Sequence, residues 1–553
     1  EQPQPTGELY AINVDGKKGE MLVGQRLQGD GLSHIQSKKA EAVAASLVDD
    51  LPADDKYVVI SVSPFSDDPY TRVERMNVYT GQRTPITRAP IRNAWFLTDN
   101  AGNVRFSSGT DKDNSGRLYY REVDGKDWKL VNDTVQSRLD QSPLGFSPDD
   151  KIAYLQVEHE QGPDSVVAWD LASGEHKQVF RDNESDPAPL YLNGKLIGVE
   201  ILDGIPRKEF FDPESSQAKL YRKLERSFPG ESVHITSTTK DGNLALVLTT
   251  SDHNPGDFFL FDLAANHASF LLSRRDWIDP LRAAKVEPIR FAARDGQSIH
   301  GYLTSPVGGV ARNSPLIVLI HGGPFSISDD WGFDNDAQIL AAHGYSVLQV
   351  NFRGSGGRGK AFMAAGKRQW GGTMQDDITD ATRWAIKEGI ADPKKICLYG
   401  ASYGGYASLM GVAKEPDLYR CAAGYVGVYD LPMMFTDGDI HKRASGEAYL
   451  NEWLGSRQDL ASASPNRLAD HIKVPVFLTA GGADKRAPIQ HTKMMEKALL
   501  SAGVPVEAVY YPTEGHGFYK TENAREFYGK LLLFFQHNLG GRAPVIVADS
   551  DKK

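Results

Sequence analysis

The sequence predicts a two-part chain: a β-propeller of six to seven blades over residues 1–282, then an α/β half over residues 283–553 built on a mostly parallel sheet. Three observations predict it. The first half repeats a strand, turn, strand pattern with a period near 45 residues. The second half alternates short apolar runs with amphipathic helical stretches, which means strands covered by helices on both faces. One of those runs ends in the glycine-flanked serine of Gly400-Ala401-Ser402-Tyr403-Gly404. A chain of 553 residues is also too long for one hydrophobic core.

In the first half, Leu9 to Gly16 recurs in outline as Met76 to Gly81, Leu118 to Gly125 and Val167 to Gly174, with weaker copies at Lys219-Leu220-Tyr221 and Phe258 to Leu263. Val78 to Val123 is 45 residues and Val123 to Leu171 is 48. Each copy reads as the outer hairpin of a four-stranded blade, and periods of this length point to a propeller rather than a sandwich. The first copy lacks preceding inner strands, so the amino-terminal blade reads as incomplete. The stretch Gly29 to Leu51 reads as an inserted loop, and the edges of an unfinished blade would favour self-association.

Composition excludes several classes. A net charge of -10 without a basic stripe argues against nucleic acid. No apolar stretch approaches the length of a membrane helix or a signal sequence. The chain starts at Glu1 without an initiator methionine, which leaves room for a leader or a longer amino-terminal part. The compartment stays open between cytoplasmic and periplasmic or secreted. Cys397 and Cys421 lie in strand-like runs and read as two buried free thiols.

The second half begins with a strand pair, Pro288 to Ala293 and Gln297 to Thr304, across the turn Arg294-Asp295-Gly296. Apolar runs follow at Leu316 to Ile320, Val347 to Val350, Ile396 to Tyr399, Cys421 to Val426, Val476 to Leu478 and Glu507 to Tyr511, with helical patterns at Asp377 to Lys387, Ile489 to Leu500 and Glu522 to Gln536. The run Ile396 to Tyr399 enters a turn so tight that glycine is required at Gly400 and Gly404, and a helix resumes at once. That is a nucleophile elbow. It exposes Ser402 above a helix amino terminus that favours developing negative charge. Elbow and sheet together make this half an α/β-hydrolase domain.

A serine hydroxyl needs a base, and the base needs an acid to hold its tautomer. In this fold the chain order is Ser, then acid, then His. Asp484 follows the strand Val474 to Ala480, and His516 follows the strand Val506 to Tyr511 on a glycine-flanked loop, so all three reach one end of the sheet. Glu514 is the rival acid, ranked second because it is too close in sequence to approach His516 from behind the ring. His471 and His491 read as caps or solvated surface residues. For the oxyanion, Tyr403 N–H and Gly323 N–H, from His321-Gly322-Gly323-Pro324, are the candidate donors. His321 has no partner at zinc-like spacing and reads as a brace for its loop. The chemistry implies no metal or organic cofactor.

These motifs, together with Asn351-Phe352-Arg353-Gly354-Ser355, Asp484 to Pro488 and Gly515-His516-Gly517-Phe518, give the chain its resemblance to the prolyl oligopeptidase family of serine peptidases (S9), on the branch of acylaminoacyl peptidases and bacterial dipeptidyl aminopeptidases. The resemblance covers Val286 to Leu539 strongly. It implies that Ser402, Asp484 and His516 form a triad and that a propeller over it admits only short or unfolded peptides. It also implies a pocket for the residue before the scissile bond near Tyr425, Val426 and Val428, although the two valines equally suit sheet core. Arg486 suits a substrate carbonyl or carboxylate, or an ordinary surface ion pair. The chain has no Glu-Glu dipeptide of the kind that anchors a free amino terminus in dipeptidyl peptidase IV-like enzymes. Two other readings stay open: a carboxylesterase-type hydrolase, because the same triad cleaves esters, and a propeller scaffold carrying a vestigial hydrolase.

Overall fold

The structure is a computed structural model and describes residues 6–25, 40–123, 125, 127–309 and 312–542. The repeats fold as six consecutive antiparallel sheets among the described residues: one of two strands, then sheets of four, four, four, three and four. This is the propeller. The repeated motif is the turn between the third and fourth strands of a blade, as in Arg72–Asn77 with Arg83–Arg88 and Ser165–Asp170 with His176–Arg181. The turns are built alike. Asn77 Oδ1 accepts from the N–H groups of Tyr79 and Thr80, Asp170 Oδ1 from those of Ala172 and Ser173, and Gly81 and Gly174 supply φ of 70° and 77°.

Three sequence expectations need correction here. Lys219-Leu220-Tyr221 is not a hairpin but part of the helix Ser216–Ser227, capped by Ser215, whose buried Ala218, Tyr221 and Leu224 recur every third residue. The stretch read as an inserted loop includes the strand Val43–Asp49, the first of the first four-stranded sheet, while residues 29–39 of it lie outside the described residues. Cys397 and Cys421 are not free: they stand in register on adjacent parallel strands and are joined by a disulfide. Sequence spacing alone does not say which strands are neighbours.

The α/β half is an eight-stranded sheet of β1 (Val286–Ala292), β2 (Ser298–Thr304), β3 (Ser314–Ile320), β4 (Ser346–Asn351), β5 (Ala391–Ala401), β6 (Cys421–Tyr425), β7 (Val476–Gly481) and β8 (Val506–Tyr511), in the order β1-β2-β4-β3-β5-β6-β7-β8. It is parallel from β4 onward. Its central strands are buried on both faces: Leu316, Val318 and Ile320 of β3 enter one core with α2 (Thr373–Lys387), while Ile317 and Leu319 enter a second core with α1 (Asn335–Ala342). The elbow helix α3 (Tyr403–Lys414) and α4 (Ile489–Ser501) lie with α2, and α5 (Thr521–Leu539) lies with α1. No described helix is long and apolar enough to cross a membrane.

Propeller loops seat directly on this half. Asp186 N–H donates to Gly357 O at 2.8 Å and Asp186 Oδ2 accepts from Gly359 N–H at 2.9 Å, while Arg358 reaches Asp203 Oδ1 at 2.5 Å. On other blades Val286 N–H donates to Asp252 and Ser445 Oγ to Asp68.

Arg353 pins the Asn351-to-Ser355 loop to α2. Its backbone N–H, Nε and Nη2 all donate to the fully buried carboxylate of Asp377 at 2.9, 2.8 and 2.7 Å, and Asp295 takes Nη1 at 2.7 Å. Removing Asp377 strips three donors of the buried Arg353 of their acceptor and leaves it only the half-exposed Asp295 as counter-ion. Asp377→Ala is therefore expected to cost about 3–5 kcal/mol of stability, read as a lowered urea midpoint.

Candidate active site

The elbow is built as its glycines predict. β5 ends at Ala401, Ser402 takes φ 58° and ψ -118°, and α3 starts at Tyr403. A non-glycine residue there is strained and must be held. It is held by Ser402 N–H donating to Tyr425 O at 2.9 Å and by Tyr406 N–H donating to Ser402 O at 3.1 Å. A Cβ on Gly400 would sit 2.5 Å from Ile320 O, and one on Gly404 would run into the same oxygen. The end of β3 thus fills the space beneath the serine.

From that end of β3 the chain passes beside Ser402: a Cβ on Gly322 would lie 3.5 Å from that of Ser402. Gly323 follows at φ 109°, then a cis bond to Pro324. His321 braces this loop. Its Nδ1 hydrogen-bonds Gly322 O at 2.8 Å, its Nε2 bonds Ser355 Oγ at 2.9 Å, and its ring stacks on Phe352 at 4.4 Å. Burial pulls its pKa down to about 4, so it is neutral at pH 7.

Asp484 lies just beyond β7 and His516 beyond β8. His516 Nδ1 is 2.8 Å from Asp484 Oδ2, and Asp484 Oδ1 accepts from the N–H groups of Arg486 and Ala487 at 2.8 and 2.9 Å. The carboxylate is fully buried while the imidazole stays one-third exposed. A buried acid thus holds the ring through Nδ1. Glu514 faces elsewhere, accepting from Tyr519 N–H, Lys520 N–H and Asn523 Nδ2. Burial works to raise its pKa, but these donors outweigh it and hold the carboxyl below the ordinary value.

The remaining predicted residues divide. Tyr425 stacks on Phe518 at 4.9 Å, two residues beyond His516, and so ties the end of β6 to the histidine loop. Val426 is buried at φ 45°, a strained conformation for a β-branched residue, with its N–H on Thr479 O. Val428 is buried in the core on the α3 side. Arg486 forms a two-pronged ion pair with Asp439 at 2.7 and 3.0 Å, a partner 47 residues away that no local pattern announces. Glu184, Asp203 and His300 bring three potential metal donors within 4.8 Å of one another, but Arg290 and Arg358 already pair with the two acids.

His491 is buried rather than solvated, a correction to the sequence expectation: it sits on α4 with Nδ1 accepting from Asp430 N–H at 3.3 Å, and burial brings its pKa to about 4. An unfolded chain binds that proton near pH 6.5, whereas the folded one refuses it until about pH 4. Stability from this site is therefore lost as pH falls through that window. The urea midpoint of His491→Gln is expected to drop less between pH 7 and pH 5 than that of the parent chain.

Comparison with known proteins shows what the chain is similar to. The model of the prolyl oligopeptidase family matches residues 331–542. The chain is 30% identical over 493 residues to dipeptidyl aminopeptidase BIII of Pseudoxanthomonas mexicana, covering 86% of this chain and 71% of that protein. It is 32% identical over 488 residues to dipeptidyl peptidase family member 6 of Caenorhabditis elegans, covering 81% of this chain and 65% of that one. The fold matches a crystal structure of puromycin hydrolase with a TM-score of 0.73 at 18% identity, over 97% of this chain and 84% of that one. It also matches acylaminoacyl peptidase of Pyrococcus horikoshii with a TM-score of 0.69 at 17% identity, over 96% of this chain and 85% of the other.

Proposed function

The chain belongs to the prolyl oligopeptidase family of serine peptidases, and from that premise we propose that it cleaves short peptides using Ser402 as nucleophile, His516 as general base then acid, and Asp484 as the group that orients His516. The observation that carries this reading is the 2.8 Å contact of His516 Nδ1 with a buried Asp484, on the sheet edge where the elbow holds Ser402.

Asp484 fixes the proton on Nδ1, leaving Nε2 as the lone-pair nitrogen that takes the Ser402 proton as Oγ attacks the scissile carbonyl. The oxyanion forms against Tyr403 N–H, a donor without an acceptor inside its own helix because it opens α3, and Gly323 N–H. His516 then protonates the departing amine. Water, deprotonated by the same nitrogen, attacks the acyl-enzyme, and Ser402 regains its proton. Tyr425, Val426 and Val428 border the pocket for the residue before the scissile bond. Arg486 stays an anchor candidate through Nη1, its other two donor positions being engaged by Asp439.

We divide the chain after residue 282 into a propeller that limits substrate size and a catalytic domain. Of the two family activities, the relatives whose sequences align over 86% and 81% of this chain are named dipeptidyl aminopeptidase and dipeptidyl peptidase, whereas an acylamino-acid-releasing enzyme aligns over 40%, which favours a dipeptidyl aminopeptidase over an acylaminoacyl peptidase. Mass spectrometry of the products from one short peptide, offered free, amino-acetylated and carboxyl-amidated, tests it. Dipeptides are expected from the free and amidated forms and none from the acetylated form. Preferred cleavage of the acetylated form would overturn the assignment in favour of acylaminoacyl release, and loss of cleavage on amidation would overturn it in favour of a carboxypeptidase.

A further inference from the structure

Arg121, just beyond the strand Gly116–Tyr120, is a buried cation. It is 9% exposed, its Nε and Nη2 donate to a single neutral acceptor, Val104 O, at 3.3 and 3.1 Å, and its guanidinium lies over the Trp128 ring at 5.1 Å. No carboxylate pairs with it among the described residues. The adjacent Arg105 has Asp99 at 2.9 Å, and Arg75 has Asp54 at 2.6 Å. Burial and the neighbouring Arg105 lower the Arg121 pKa, the direction expected of a cation without a counter-ion.

Arg121 lines a cavity of about 440 Å³ between two propeller blades, together with Asp49, Leu51, Val59 and Val104. Asp49 is the complementary case. Its carboxylate accepts from Leu51 N–H at 2.7 Å and Thr98 Oγ1 at 2.5 Å, and no cation pairs with it among the described residues. The strand Tyr57–Pro64 starts beside this cavity and ends at the loop of Asp68, which bonds Ser445 of the α/β half. The cavity therefore lies at the opposite end of the blade from the catalytic domain.

A cation and an anion that each lack a charged partner among the described residues, in one cavity with the apolar Leu51 and Ile86, define a ligand. We propose that it binds a small zwitterion, a free amino acid or short peptide with both ends charged, whose carboxylate meets Arg121, whose ammonium meets Asp49, and whose side chain lies on Leu51 and Ile86. This is the class of molecule that peptide hydrolysis releases. The site is separate from the elbow, and its test does not depend on which residues perform catalysis.

Isothermal titration calorimetry of the Ser402→Ala chain with the dipeptide Ala-Phe reads the binding, alongside amino-acetylated and carboxyl-amidated Ala-Phe. The free dipeptide is expected to show a binding event that Arg121→Gln and Asp49→Asn each weaken by about tenfold or more, and that each terminal block weakens similarly. A titration unchanged by both substitutions, or equal affinity for the blocked forms, would overturn the proposal. Should Arg121→Gln fail to fold, as judged by circular dichroism, Asp49→Asn and the blocked ligands decide it alone.

Discussion

Ser402→Ala is expected to lower kcat on a short peptide amide by about 10⁴- to 10⁶-fold, with KM and the urea midpoint little changed. The size follows from what is lost. Without Oγ there is no covalent route, and the residual rate comes from binding and the oxyanion donors alone. Folding is spared because the strain at φ 58° belongs to the backbone, which Ser402 N–H still ties to Tyr425 O in the variant. A large loss of stability alongside the loss of activity would mean that the hydroxyl supports the elbow rather than the chemistry.

Asp484→Asn is expected to lower kcat by about 10⁴-fold, because the amide offers His516 Nδ1 an N–H in place of an acceptor and favours the wrong tautomer. Its neighbour supplies the control. Glu514 accepts from Tyr519, Lys520 and Asn523 while the imidazole bonds Asp484, so Glu514→Gln is expected to change kcat by only a few-fold and to appear mainly in stability. The pair of steady-state measurements separates the two acids that the sequence places within reach of one histidine. Reversed sizes would assign the orienting role to Glu514.

Much of this site was legible because its determinants are local. Gly400 and Gly404 are demanded by a turn five residues long, and Asp484 and His516 each follow an apolar run that can only be a strand end. The propeller was legible for the same reason: Asn77 with Gly81, and Asp170 with Gly174, write the turn into the chain. What escaped depends on neighbours far apart in sequence. Cys397 and Cys421 pair only because β5 and β6 lie side by side in register, and Arg486 finds Asp439 across a separate segment. His491 faces the core because the helix carrying it turns that side toward Asp430. Lys219-Leu220-Tyr221 imitates a strand over three residues, and only the spacing of Ala218, Tyr221 and Leu224 reveals the helix. The strand Val43–Asp49 was hidden by the Gly- and Lys-containing stretch before it.

The most direct test of the catalytic assignment is labelling with a fluorophosphonate followed by peptide mapping of the modified residue by mass spectrometry. The account predicts a single phosphonylated site at Ser402, lost in Ser402→Ala and strongly slowed in His516→Ala. Modification of a different serine, or an intact rate of labelling without His516, would contradict it.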